Sequence, residues 1–318
     1  MIITQTPLRI SFLGGNTDFP EYYKEYGGSV LTTTIDKYIY CIVNKRFDNE
    51  IWINYSEKER VTDIKDIKHD LVREALKLME ITGGIEISFM SDIPSKGSGL
   101  GSSSAVTIGL LKALDEYEGN SFTNAELASL AVKIELDILK KPIGVQDQII
   151  ISYGGLRHLR LGTSNEVLRL DIPQSTIDNL DHSLMLFYTG KQRTTETVLK
   201  DMKLDKKILD KTKALTDQAV SLIKLGAIRE IGNLMDDYWE LKKKLNKKAT
   251  DSDINDMYKK ARKAGAIGGK IVGAGGGGFL LLMVEEDKQA AVRQALVAYK
   301  EMPFRFTEFG SKVIFNNG

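Results

Sequence analysis

The chain has 318 residues, 42% hydrophobic and 27% charged, with 44 basic against 43 acidic side chains and a formal net charge of +1. Such a composition suits one large or two medium globular domains and excludes disorder, a fibrous repeat and a broad basic face for nucleic acid, while leaving room for a small basic pocket. The single Cys41 excludes a disulfide framework and a cysteine-based metal centre, and His69, His158 and His182 have no metal-ligand spacing.

No basic stretch followed by an apolar run opens the chain, and the longest apolar run, residues 279–284, is far short of the ~20 residues that span a bilayer. A cytoplasmic chain without a membrane partner is expected. The first element alternates, with Leu8, Ile10 and Phe12 on one side and Arg9, Ser11 and Leu13 on the other, which reads as a strand ending at Gly14 and Gly15. Residues 29–43 are rich in β-branched and aromatic side chains and predict one or two strands, and 51–55 another. Helical spacing follows at 69–81, then alternation at 85–90. Val106, Gly109, Leu110, Ala113, Leu114 and Tyr117 mark a helix. TNAE at 123–126 is a capping box, Thr123 as N-cap and Glu126 at N3, opening a helix to about Leu139. A further helix is expected over 143–153 and a hairpin over 156–172. From Ser183 the order is strand 183–189, long helices 214–245, helix 252–264, strands 270–272 and 279–284, helix 287–299 and strand 305–315. That order matches a βαββαβ ferredoxin-like unit, so the fold class is α+β, with domains at 1–176 and 177–318.

The 28 glycines gather in three clusters, at 14–15, 97–101 and 273–278. Glycine allows positive φ and close approach of a ligand or another backbone. PSKGSGLGSSSA (94–105) sits between a strand and a helix. Gly97, Gly99 and Gly101 let the backbone curl so that N–H groups point inward, and the helix N-terminus adds its positive end. The pair suits nucleotide phosphates. Hydroxyls of Ser102, Ser103 and Ser104 can bind phosphate or Mg²⁺, or cap the helix. It is not a P-loop, because G-x-x-x-x-G-K-[ST] is missing. The third cluster, GAGGGG (273–278), spells G-x-G-x-x-G but precedes a strand, whereas a dinucleotide fingerprint opens a helix. Protein-kinase signatures are missing.

PLRISFLGGNTD (7–18), PSKGSGLGSSSA (94–105) and KIVGAGGGGF (270–279), in this order, resemble the three motifs of the GHMP small-molecule kinases, the superfamily of galactokinase, homoserine kinase, mevalonate kinase and phosphomevalonate kinase. The resemblance implies an N-terminal domain of the ribosomal protein S5 domain 2-like type, a C-terminal ferredoxin-like domain, and an ATP- and Mg²⁺-dependent site between them. It implies that Asp147, in GVQDQ (144–148), takes or orients the acceptor proton, and that Arg9 stabilises phosphoryl charge. Glu135 and a serine, best Ser103 with Ser102 or Ser104 open, would hold Mg²⁺. Nucleotide binding falls to Pro94, Lys96, Gly97, Ser98, Gly99, Leu100, Gly101, Ser102, Ser103 and Ser104. Sugar binding falls to Gly14, Gly15, Asn16, Thr17, Asp18, Lys191, Arg193, Gly275 and Gly276. GGNTD (14–18), with FYTGKQR (187–193), most resembles the D-glycero-D-manno-heptose 7-phosphate kinases, which implies phosphorylation of an anomeric hydroxyl of a small sugar phosphate. Other sugar kinases of the superfamily, of the fucose or galactose type, and a non-catalytic nucleotide and sugar sensor are the alternatives. The protein is expected to be a monomer or homodimer with no nucleic-acid partner. The basic run 242–248 reads as a solvated helix face.

Overall fold

The structure, a computed structural model, describes residues 1–93, 97–200 and 202–317. The first half runs β1 (Ile2–Leu13), α1 (Pro20–Tyr26), β2 (Gly28–Lys45), β3 (Ile51–Asn54), β4 (Lys58–Val61), α2 (Asp70–Leu78), β5 (Ile85–Ser91), α3 (Ser102–Glu118), α4 (Asn124–Val132), α5 (Gln146–Tyr153), β6 (Arg157–Leu161) and β7 (Glu166–Arg169). The second runs α6 (Gln174–His182), β8 (Leu184–Tyr188), α7 (Thr195–Leu199), α8 (Lys206–Lys224), α9 (Ile228–Leu245), α10 (Ser252–Lys263), β9 (Gly268–Ile271), β10 (Phe279–Met283), α11 (Glu286–Ala295), β11 (Phe306–Thr307) and β12 (Lys312–Asn316). Among the described residues no helix is long and apolar enough to cross a membrane.

The β-branched run at 29–43 forms one continuous strand of 18 residues, β2. One edge pairs antiparallel with β1. The other is taken in turn by β6, β11 and β5, so a single strand ties the first sheet together. The alternation at 8–13 predicts one buried face, yet all six residues are buried. β1 lies between β12 and β2 in the sheet order, with α3 packed on it and α8 and α9 also in contact, so Arg9 and Ser11 are enclosed rather than solvated. Gly109 lets α3 approach β1, because a Cβ there would lie 2.6 Å from Thr6 Oγ1.

The second sheet corrects one detail of the βαββαβ expectation. Its three strands run β8-β10-β9, antiparallel throughout. The fourth strand was expected over 305–315. Instead residues 300–302 lie along the free edge of β8, with Tyr188 N donating to Lys300 O at 2.8 Å, Met302 N to Leu186 O at 2.8 Å, and Phe187 bridged to Glu301. The order 4-1-3-2 of a ferredoxin-like sheet is thus met by a short segment. The chain then crosses over, and β12 pairs with β1 at the edge of the first sheet. A boundary at residue 176 therefore leaves β11 and β12 as part of the first sheet. One apolar core runs from Leu8 and Ile10 through to Leu186 and Phe279, with a smaller one around Trp239 and Met257 behind the second sheet.

The halves also meet backbone to backbone. A Cβ on Gly99 would lie 2.7 Å from Val272 O, one on Gly273 2.6 Å from Gly99 O, and one on Gly278 would collide with the Ser98 carbonyl. All three glycines have positive φ, at 76°, 64° and 78°. Gly278→Ala is therefore expected to lower stability by about 1–3 kcal/mol, read as a lower urea midpoint. An unchanged midpoint would show that the loops need not interlock.

Candidate active site

A cleft of about 570 Å³ opens where the interlocked loops meet β1 and α5. Arg9 lies at its base, 5% exposed. Its Nε donates to Asp147 Oδ1 at 2.7 Å, its Nη2 to Asp147 Oδ2 at 2.5 Å, and its Nη1 to Gly99 O at 2.5 Å. Its backbone N donates to Leu100 O at 3.0 Å. The bidentate fork fixes the carboxylate in one plane. Each Asp147 oxygen keeps a second lone pair, and the side chain faces the cleft from the first turn of α5.

Gly97, Gly99 and Gly101 have φ of 71°, 76° and 80°, and Gly101 turns the chain into α3. The loop ends at the positive end of a 17-residue helix. Ser98 Oγ holds the turn through Leu100 N at 3.2 Å and Ser102 Oγ at 2.9 Å, while Leu100 fills the core. Pro94 and Lys96, expected at this loop, lie outside the described residues.

Glu135 sits in a π-helical turn, Lys133–Ile138, that continues α4, and is fully buried. It accepts from Ser103 Oγ, Ser104 Oγ and Thr107 Oγ1, each at 2.9 Å, and from Gln148 Nε2. Glu135 is thus an enclosed acid rather than a solvated one. All three serines line the cleft, and of them Ser103 is exposed while Ser102 and Ser104 are buried. Among the described residues no group of three or more acidic, histidine or cysteine ligands could hold a metal. A Mg²⁺ held by one carboxylate, one hydroxyl and ligand phosphates needs no such group, and the 2.9 Å between Ser103 Oγ and Glu135 Oε1 matches the edge of an octahedron with bonds of about 2.0–2.1 Å. Glu135 does not line the cleft and accepts two hydrogen bonds on each oxygen, so it could take that ion only in exchange for one of them, such as that from Ser103.

The turn after β1 supplies the other wall. Gly14 has φ 92°, and a Cβ there would collide with Ser29 O. Thr17 Oγ1 staples the turn, donating to Gly14 O at 2.7 Å and Ser29 O at 3.0 Å. Gly14 and Thr17 are scaffold, whereas Gly15, Asn16 and Asp18 line the cleft. Asp18 is 2% exposed, and Oδ2 accepts from Gln146 N at 3.2 Å and Gln146 Nε2 at 3.0 Å. Burial, then the charge of Asp147, pushes its carboxyl up to about 6, against the pull of the Gln146 hydrogen bonds.

Four expected sugar contacts are not brought to the cleft. Lys191 turns away to Asp251 and Asp253 at the start of α10, 2.6 Å from each. The Arg193 backbone packs on Gly97, and its side chain lies over Gly276. Gly275 and Gly276 face Ala249 and Lys248, so the third cluster meets the cleft through Gly273 and Ala274.

The structure adds residues that the motifs did not mark. Lys242 belongs to a run read as solvated, yet it is 4% exposed and donates to the Ile271 and Gly273 carbonyls. Burial, with Arg9 nearby, brings it down to about 7. Lys270, in β9, is buried with Nζ 4.9 Å from the Tyr238 ring centre. Tyr238 donates to Gly15 O at 3.3 Å. Lys141 reaches Ser103 Oγ at 3.5 Å. Tyr55, His69, Phe89 and Met90 form an apolar end, with Met90 62% exposed. The signal for Lys242 was its helical phase: Tyr238, Trp239 and Lys242 share one buried face of α9.

Two family models match the chain: the GHMP kinases N terminal domain over residues 69–155 and the GHMP kinases C terminal over residues 219–301. The chain is 30% identical over 297 residues to a D-glycero-alpha-D-manno-heptose 7-phosphate kinase of Campylobacter jejuni, covering 86% of each chain. It is 30% identical over 214 residues to a mevalonate kinase of Methanothermobacter thermautotrophicus, covering 65% of this chain and 66% of that one. The crystal structure of a D-glycero-D-manno-heptose 1-phosphate kinase from Bacteriodes thetaiotaomicron superposes with a TM-score of 0.82 at 25% identity, covering 100% of both chains.

Asp18 carries a pH signature. Its folded pKa of about 6 lies above that of an ordinary aspartate, so between about pH 4 and 6 the folded state binds more protons than the unfolded and stability falls as pH rises. Asp18→Asn is expected to be more stable than wild type by about 1–3 kcal/mol at pH 7, with the gap closing below pH 4. A gap that stays constant from pH 4 to 7 in urea titrations would contradict this assignment.

Proposed function

The chain belongs to the GHMP kinase family, and from that premise we propose that it transfers the γ-phosphoryl group of ATP to the anomeric hydroxyl of a sugar. The acceptor is D-glycero-D-manno-heptose 7-phosphate, converted to the 1,7-bisphosphate for GDP-heptose and surface polysaccharide synthesis in the cytoplasm. The observation that carries the reading is the Arg9–Asp147 fork beneath the glycine loop. It sets a carboxylate and a cation at the point where phosphate and acceptor meet.

ATP phosphates lie along residues 97–101 against the N-terminus of α3. The apolar end formed by Tyr55, Phe89 and Met90 suits the base. Ser103 and Glu135 are the residues that would hold Mg²⁺, which supplies neutralisation of β- and γ-phosphate charge. Asp147 accepts a hydrogen bond from the acceptor hydroxyl on a free lone pair and orients the oxygen in line with the γ-phosphorus. As the new O–P bond forms and the bond to ADP breaks, the hydroxyl proton passes to Asp147. Arg9 is pinned by Gly99 and Leu100, so its charge is already in position when phosphoryl charge develops. Lys141, beside Ser103, adds a second cation to the phosphate end.

The sugar-side wall of Gly15, Asn16, Asp18 and Gln146 is polar and buried, which supports a polyol acceptor over an apolar one. The names of the two heptose kinases put the acceptor phosphate on different carbons, so the position is best fixed by assay. A coupled ADP-release screen should compare heptose 7-phosphate with mannose, fucose, galactose and their phosphates. Heptose 7-phosphate is expected to give the highest kcat/KM. Failure of every phosphorylated sugar beside rapid turnover of a neutral one would overturn the heptose assignment, and binding without ADP release would favour a sensor. Asp147→Asn is expected to lower kcat by about 100- to 10,000-fold with ATP binding retained. Near-normal turnover in the purified variant would remove Asp147 from its role.

A further inference from the structure

The chemistry above uses Arg9, Asp147 and the glycine loop, and leaves Lys270 without a task. Lys270 is 2% exposed, yet it belongs to the cleft wall. Of the three buried cations grouped here, Arg9 is held by Asp147 and Gly99, and Lys242 by two carbonyls. Among the described residues Lys270 has no oxygen partner, and its nearest fixed contact is the face of Tyr238. Burial, then Lys242 and Arg9, depress its pKa well below the usual lysine value, and Asp18 alone works in the other direction. The side chain is nearly enclosed and lines the cleft, so its Nζ is placed to donate to a ligand oxygen there.

The same cleft holds the complementary vacancies. Among the described residues five buried side-chain atoms lack a hydrogen-bond partner, and three of them, Ser11 Oγ, Asp18 Oδ1 and Gln146 Oε1, belong to residues that line this cleft. An ionised carboxylate oxygen only accepts, and an ammonium only donates. Asp18 is near enough for its charge to act on Lys270, so one ligand that satisfies both would offer a donor and an acceptor close together. Two adjacent hydroxyls do so. A phosphate dianion does not, because it has no proton for Asp18 Oδ1 and would set its charge against that carboxylate.

We propose that Lys270 is a specificity-determining residue whose Nζ donates to one hydroxyl of a vicinal pair on the acceptor, while Asp18 Oδ1 accepts from the neighbouring hydroxyl. The inference rests on the sugar-kinase reading and names the part of the sugar that this wall reads.

Lys270→Met keeps the length of the side chain and removes the donor. It is expected to raise KM for the acceptor by about 10- to 100-fold, to leave KM for ATP unchanged, and to melt no lower than wild type. A monodeoxy series of the accepted sugar supplies the second readout. In wild type, loss of the hydroxyl that Lys270 reads raises KM by a similar factor; in Lys270→Met the parent and that deoxy sugar have equal KM. Should the methionine variant fold poorly, Lys270→Gln, which retains a shorter donor, is expected to fall between the two. An unchanged acceptor KM in a folded variant, or a variant that still discriminates the deoxy sugar, overturns the inference alone. A KM penalty confined to phosphorylated acceptors assigns Lys270 to phosphate and overturns the hydroxyl contact. Absence of ADP release from wild type with every sugar overturns the kinase reading and this inference with it.

Discussion

The Arg9 guanidinium is the interaction on which the cleft depends. It is nearly buried, and its three hydrogen-bonding nitrogens reach the glycine loop and the carboxylate at the start of α5. A buried ion pair is weak evidence of net stability, because desolvation of both partners offsets their attraction. Its value here is geometric. The planar fork ties the first strand, the phosphate loop and α5 to one another at fixed distances, and holds Asp147 where an acceptor can meet it. Because β1 and β2 form the middle of the first sheet, the position of Arg9 is set by the best-paired part of the molecule.

The second constraint is steric. Two glycine loops from opposite halves of the chain approach closer than any Cβ permits. Residues 97–101 thus receive their shape from both sides, from Arg9 below and from Val272 and Gly273 across the seam. Lys242 fastens the far loop by binding the Ile271 and Gly273 carbonyls. In the third glycine cluster the resemblance assigns Gly275 and Gly276 to the sugar. Most of that cluster leaves room for the other loop.

The sequence carried the features that repeat locally. The capping box at Thr123, the helix after the serines and the strand before the glycines all formed as expected, because each is decided by neighbours within a few residues. The resemblance carried by the three motifs implied the fold, and the structure brings Arg9, Asp147, Ser103 and Asp18 to one cleft. What remained hidden depends on partners far along the chain. Nothing near residue 312 indicates that β12 will pair with β1 rather than β8. The exchange becomes visible only when residues 300–302 occupy the β8 edge. Lys191 looked free for a phosphate until Asp251 and Asp253, some sixty positions away, were folded against it. Lys242 sits in a basic run, which suggests a solvated face, whereas its helical phase with Tyr238 and Trp239 carries it inside.

The arrangement of charge explains how a chain with net charge +1 can receive polyanionic ligands. Three cations, Arg9, Lys242 and Lys270, are gathered beside Asp18 and Asp147 in a wall with little access to water. Burial makes each of these charges costly, and the protein lowers the cost in different ways: Arg9 is paired with Asp147, Lys242 is held by carbonyls and shifted towards neutrality, and Asp18 is shifted towards its protonated form. Among the described residues, the unmatched buried atoms whose residues line the cleft are those of Ser11, Asp18 and Gln146, whereas Ser98 bonds Ser102 and Ser103 bonds Glu135 beside the glycine loop. A cleft so divided holds its phosphate end ready-made and leaves its acceptor end to be completed by the ligand. On the proposed reading, selectivity resides on the side where polar groups are still waiting for partners.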